Sequence, residues 1–160
     1  MKTANEAANE ALVLKVYTEL FNDHDASALD RYFTDNLIQH NPQLPDGTDA
    51  LRAVVTANTN LHAQIGMVTA DGDIVMVHRR YEGLGPKPIV GVDIYRIEDG
   101  RIAEHWDAAQ EEVSPTASGH PMFTVPSRAA RWISCSAASG LAGSWPASSS
   151  PCSNCSSAAS

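Results

Sequence analysis

The chain has 160 residues, 43% of them hydrophobic and 19% charged, with a formal net charge of −8, which is enough for one domain built round one core. Nineteen acidic residues stand against eleven basic ones, and no basic cluster is longer than Arg79-Arg80, so neither nucleic acid nor a membrane surface is expected as a partner. No apolar run approaches the roughly 18 residues of a membrane span. Met1 to Glu6 lacks the basic-then-apolar order of a signal peptide, so a cytoplasmic protein is expected.

The composition breaks near residue 126. Every Asp and Glu lies at or before Glu112, whereas residues 127–160 carry two Arg and a high share of Ser and Ala. The expected division is one domain over 1–126, with its core at about 8–112, and a tail over 127–160 that is either disordered or non-native sequence. Cys135, Cys152 and Cys155 all fall in that tail, so the body has no disulfide framework. The C-x-x-C spacing of Cys152 and Cys155 has neither a helix N-terminus nor further ligands beside it to make a redox pair or a zinc site.

From Ala4 to about Phe21 the apolar positions Ala8, Leu12, Val16 and Leu20, flanked by Val13, Tyr17 and Phe21, form one helical stripe. Asn22-Asp23-His24-Asp25 interrupts it, and Asp25 is placed to accept from the first amides of a short second helix carrying Leu29, Tyr32 and Phe33. Leu37 to His40 reads as extended and ends at the turn chemistry of Asn41-Pro42 and Leu44-Pro45-Asp46-Gly47. Asp46 or Thr48 then caps a third helix running to about Ala63. Four strand-like runs follow, at 65–69, 73–81, 89–97 and 101–110, with Ala70-Asp71-Gly72 and Glu98-Asp99-Gly100 each suited to a three-residue hairpin loop. The expected fold is an α+β roll: three helices covering one face of a curved antiparallel sheet, with a pocket between them.

Register decides which side chains reach that pocket. A three-residue loop at 98–100 sets Asp93 opposite His105 and Gly91 opposite Asp107, leaving Asp93, His105 and Asp107 on one face. A two-residue loop, Asp99-Gly100, sets Asp93 opposite Trp106 and on the other face. The first is preferred because Asp-Gly after an ordinary residue suits the bulged loop. Two carboxylates and an imidazole on a covered face are acid/base equipment; on an open face they are an ordinary cross-strand pair. His40, His78 and His105 with Asp93 could also be read as a metal site, but no ligand spacing supports it.

The segments "LIQHNPQLPDG" at 37–47, "ADGDIVMVH" at 70–78 and "VDIYRIEDGRIAEHWD" at 92–107, with Tyr17 in the first helix, resemble the SnoaL-like branch of the nuclear transport factor 2-like superfamily, over roughly residues 8–112. The resemblance implies a nuclear transport factor 2-like, or cystatin-like, α+β roll with a deep pocket. It also implies a homodimer packed through the sheet, and relatives that include polyketide cyclases and ketosteroid isomerase. By position, Asp107 matches the acid/base carboxylate of cyclases that close rings by aldol condensation. Asp93 falls where ketosteroid isomerase holds a protonated carboxylic acid, and Tyr17 matches that enzyme's oxyanion tyrosine. His40 stands near the place of its general-base aspartate. The implied catalytic set is therefore Asp107, His105, Asp93, His40 and Tyr17, with His78, Tyr95 and Phe33 contacting a small hydrophobic carbonyl compound and no metal or organic cofactor required. Trp106, on the opposite face by alternation, is the candidate dimer contact. Three other readings remain: a pocket that only binds its ligand, a purely structural dimerisation module whose cavity is filled by side chains, and an epoxide hydrolase. Relatives with the latter activity use an Asp-Arg-Asp arrangement, which Arg96 and Arg101 fit poorly.

Overall fold

The computed structural model describes residues 2–126, so the reading of the 127–160 tail lies outside the described residues. Helix α1 (Ala4–Val16) opens on a reciprocal cap in which the Thr3 hydroxyl accepts from the Glu6 amide and the Glu6 carboxylate accepts from the Thr3 amide. It continues without a break into a π-helical segment, Tyr17–Asn22, closed by bonds such as Asp23 N–H to Thr18 O at 2.8 Å. Asn9, Val13, Val16, Tyr17, Leu20 and Phe21 point inward while Ala8 is exposed, because a strict four-residue spacing drifts about 40° per step round a helix of about 3.6 residues per turn. The expected stripe through Ala8 is corrected accordingly.

Asp25 accepts from the Ser27 amide at 3.0 Å, just ahead of α2 (Ala28–Tyr32). Strand β1 (Phe33–Gln39) follows, and the next turn returns so that the Asp46 carboxylate accepts from the Gln39 amide at 2.8 Å. That bond spends Asp46 on the loop, and Thr48 makes no side-chain cap to α3 (Asp49–Ala57). The third helix ends well short of Ala63. Asn22 grips Ala63 instead, accepting from its amide at 2.7 Å and donating to its carbonyl at 3.1 Å. Both backbone groups of Ala63 are thereby committed to an extended chain.

The remaining strands are β2 (His62–Asp71), β3 (Ile74–Glu82), β4 (Ile89–Glu98) and β5 (Arg101–Glu111), and the sheet order is β1-β5-β4-β3-β2. β2 to β5 form an antiparallel meander, whereas β1 joins β5 in parallel. Bulges interrupt β2 between Ile65 and Met67 and β5 opposite Arg96/Ile97, and such extra residues bend a sheet. The helices close its inner face over a core that includes Val13, Val16, Leu20, Leu29, Phe33, Leu37, Val55, Val75, Val77 and Ile102.

Both hairpin loops have two residues. Asp71 pairs with Ile74 and Glu98 with Arg101, and Asp99 and Gly100 take φ of +50° and +75°, the left-handed pair of a tight hairpin turn. The three-residue loops are corrected, yet their consequence for the faces survives. Ile97 pairs with Ile102 but Arg96 with Glu104, so Ala103 is an extra residue that shifts the ladder by one. From there Tyr95 opposes His105 and Asp93 opposes Asp107, not the partners expected. The bulge restores the parity the two-residue turn had reversed.

Candidate active site

Between sheet and helices lies a cavity of about 790 Å³. One part of its wall is apolar, with Phe21, Phe33, Leu37, Leu51, Val54 and Leu61. The other part carries Gln39, Asn41, Arg79, Asp93, Tyr95, His105 and Asp107.

The polar part is organised round Asp93, which is 2% exposed. Arg79 holds it with Nε at 3.1 Å from both oxygens and Nη2 at 2.9 Å from Oδ1. Three tyrosine hydroxyls turn toward Oδ2: Tyr17 at 2.5 Å, Tyr81 at 3.2 Å and Tyr95 at 3.4 Å. Burial by itself would raise the Asp93 pKa, but the Arg79 guanidinium, joined by His105 when that ring is charged, outweighs it and holds the carboxyl well below the usual carboxylate range. The expectation of a protonated Asp93 is therefore corrected: a buried cation alongside makes the anion the stable form. Burial, and then the Asp93 charge, push the hydroxyls of Tyr17, Tyr81 and Tyr95 far above their ordinary value, so all three stay donors. Tyr17 spends its proton on Asp93 and is not among the residues that line the cavity.

Asp107 is the second carboxylate. Asn41 Nδ2 donates to its oxygens at 3.0 and 2.9 Å, and Arg79 Nη2 lies 3.5 Å from Oδ2. The Asn41 amide cannot be turned round, because its Oδ1 accepts from the Gln43 amide at 2.7 Å. Arg79 thus bridges two carboxylates, and its Nη1 is buried with no hydrogen-bond partner. The side chain of Arg79 is only 3% exposed, so Nη1 is a buried donor without a partner, which is uncommon inside folded proteins.

Of the residues singled out by sequence, Asp93, Tyr95, His105, Asp107 and Phe33 line the cavity, and Tyr17 backs it through Asp93. Two do not come there. His40 stacks on Trp106 on the outer sheet face, with ring centroids 4.8 Å apart and Nε2 2.8 Å from Glu104. His78 also points outward and packs on Phe123. The reason is strand parity: Leu37 faces the core, so Gln39 and Asn41 share its side and His40 does not. His78 likewise alternates against the buried Val75, Val77, Arg79 and Tyr81. This separation also dismantles the notional three-histidine set, and among the described residues no cluster of three or more His, Cys, Asp or Glu could hold a metal ion.

Arg79, Tyr81, Gln39 and Asn41 are the site residues that the sequence reading missed. Arg79 carried a usable signal, an arginine in phase with the apolar residues of an alternating strand.

The SnoaL-like domain family profile matches residues 13–105. The chain belongs to that family. Among solved structures it is similar to a protein from Jannaschia sp. CCS1 provisionally named a SnoaL-like polyketide cyclase, at 22% identity and a TM-score of 0.57, covering 69% of this chain and 90% of that one. A provisionally named ketosteroid isomerase from Kribbella flavida is 18% identical with a TM-score of 0.59, over 70% and 84% of the two chains. An LEH-like epoxide hydrolase from M. tuberculosis is 18% identical with a TM-score of 0.53, over 66% and 84%. At such identities the likeness is one of fold: helices on a five-stranded curved open sheet. Comparison with curated proteins gives no match. Among the described residues no helix of this SnoaL-like domain is long and apolar enough to cross a membrane.

Proposed function

We propose that this SnoaL-like domain is a cofactor-independent acid/base enzyme that enolises a small, largely apolar carbonyl compound, as in an aldol ring closure or an isomerisation. The observation that carries this reading is the placement of Asp107: a carboxylate on the cavity wall, held by Asn41 and lying 3.5 Å from a guanidinium whose Nη1 is unpartnered. Asp107 removes a proton from the carbon next to the carbonyl. The electron pair of that C–H bond moves onto the carbonyl oxygen, and the resulting charge is stabilised by the positive charge of the Arg79 guanidinium in the cavity wall. The enolate carbon then bonds to a second carbonyl in a cyclase, or is reprotonated elsewhere in an isomerase. The proton held by Asp107 goes to the product. Asp93 keeps the guanidinium oriented.

The test is exchange of the acidic C–H of a panel of ketones and 1,3-diketones into deuterated solvent, followed by NMR. Asp107→Asn is expected to lose exchange by about a hundredfold or more while keeping its fold. A variant that exchanges as fast as wild type removes the reading.

A second reading is favoured by the Asp93–Arg79–Asp107 bridge, an Asp-Arg-Asp arrangement that Arg96 and Arg101 do not supply. In an epoxide hydrolase, Asp107 and Asn41 would hold and activate a water molecule. Turnover of a panel of epoxides, with no exchange on the ketone panel, selects that chemistry. Cavity occupancy with neither activity selects a purely ligand-binding domain.

A further inference from the structure

Gln39 and His105 are paired across the parallel ladder of β1 and β5, and one bond between them plays no part in the reaction just described. His105 Nδ1 lies 2.6 Å from Gln39 Oε1. A second neighbour fixes that atom as oxygen: the Asn41 backbone N–H donates to it at 3.3 Å, which an amide NH₂ could not accept. An amide oxygen is an acceptor only, so the shared hydrogen belongs to Nδ1. A neutral imidazole has one N–H, and its Nε2 is then a bare lone pair. That nitrogen is buried without a hydrogen-bond partner, 3.7 Å from Asp93 Oδ1. The Tyr95 ring stacks on the imidazole at 4.9 Å, and Arg79 and Asp107 complete the polar wall around it.

We propose that Gln39 is a positioning residue that holds His105 in the Nδ1–H tautomer, making Nε2 the one nitrogen at which the ring takes up or releases a proton. The functional consequence rests on the reading above, whereas the tautomer does not. The consequence is a second acid/base group beside Asp107: neutral Nε2 takes up a proton released into the polar wall, on the side that faces Asp93. The charged ring then keeps Nδ1–H on Gln39 and turns its new N–H toward Asp93 Oδ1. Returning that proton to an alkoxide restores the starting state, with no other reactant needed.

The experiment is long-range ¹H–¹⁵N NMR of the full chain with ¹⁵N-histidine, at alkaline pH with the ring neutral, His105 being assigned by the signals missing from His105→Gln. Wild type is expected to show a pyrrole-type Nδ1 and a pyridine-type Nε2. Gln39→Glu retains an acceptor at Nδ1 and should keep that pattern. Gln39→Met removes the acceptor, and the hydrogen should move to Nε2, where Asp93 can accept it. A pyridine-type Nδ1 in wild type overturns the proposal, as does an unchanged tautomer in a folded Gln39→Met. Should Gln39→Met not fold, the wild-type spectrum and Gln39→Glu decide. Asp107→Asn should leave the His105 signals in the wild-type pattern, so that failure of the enolisation reading and failure of the tautomer assignment are distinguishable.

Discussion

At the scale of single residues, the buried ion pair is the feature with the largest energetic consequence. Arg79 and Asp93 are each about 3% exposed at the side chain, and removing one member of such a pair leaves the other charge buried and uncompensated, at a cost of about 3–5 kcal/mol. Asp93→Asn should therefore lower stability by that order at neutral pH, measurable by guanidinium unfolding. The sign of the pH dependence follows from the depressed folded-state pKa of Asp93. Its stabilisation is fully present above the unfolded value of about 3.9 and is lost as pH falls from there toward the lower folded value. The gap between wild type and Asp93→Asn should accordingly narrow between pH 5 and strongly acid solution. A gap that stays constant would show that folding does not shift the Asp93 pKa, and a gap that widens toward acid pH would show that the folded state holds it neutral. Asp93 and Asp107 were visible in the sequence as a pair. The resemblance gave them different duties, but the ionised state of Asp93 was not legible, because it depends on Arg79, which comes from another strand.

At the scale of elements, the β4–β5 hairpin shows how a correct face can follow from a wrong turn. The choice between two and three loop residues ought to have decided whether Asp93 shares a side with His105 and Asp107. The two-residue turn forms, and Ala103 then bulges to bring the faces back into phase. Asp99-Gly100 signals the turn plainly, but nothing local marks Ala103 as the extra residue, since a bulge answers to the curvature of the whole sheet. Gly100 has φ of +75° and no atom within 4 Å of where a Cβ would sit, so Gly100→Ala isolates the backbone strain of the turn. It should cost about 1–2 kcal/mol and leave the His105 NMR signals in place. A large change in those signals would show that the turn alone, without the bulge, sets the register. Strand β1 carries a similar lesson. His40 attracted attention by residue type, while the parity of Leu37 already assigned the inner face to Gln39 and Asn41.

At the scale of the whole molecule, the described residues cover one face of the sheet with helices and leave much of the other uncovered. On the open face Ile38, Met67, Met76 and Val92 are 37–52% exposed, and Met76, Ile94 and Trp106 lie in one row across three strands. The 121–126 segment covers a corner of it, where Phe123 packs on His78 and the Thr124 carbonyl lies so close to Gly66 that an added Cβ would be 2.6 Å away. The remaining apolar patch is the surface that the expected homodimer would use. We propose that association, with Trp106 in the interface. Sedimentation should then give twice the 17.1 kDa chain mass, and Met76→Lys should shift the population toward monomer by placing an unpaired charge in the contact. A wild-type monomer at micromolar concentration would dismiss it.

The sequence by itself determined the class of fold, the division of the chain near residue 126 as an expectation, and most strands to within a few residues. Hydrophobic period and turn chemistry are local properties, legible without knowing what packs against what. It also brought Asp93, Tyr95, His105 and Asp107 together, since residues on one hairpin need only a shared parity. Only the tertiary structure decided the rest. Arg79 reaches Asp93 and Asp107 across neighbouring strands, Gln39 and Asn41 enter because β1 docks in parallel on β5, and His40 and His78 leave because their strands alternate the other way. Charge states were settled there too: an aspartate surrounded by tyrosines reads as a candidate neutral acid until a guanidinium is found beside it, and that neighbour lies fourteen residues away along the chain.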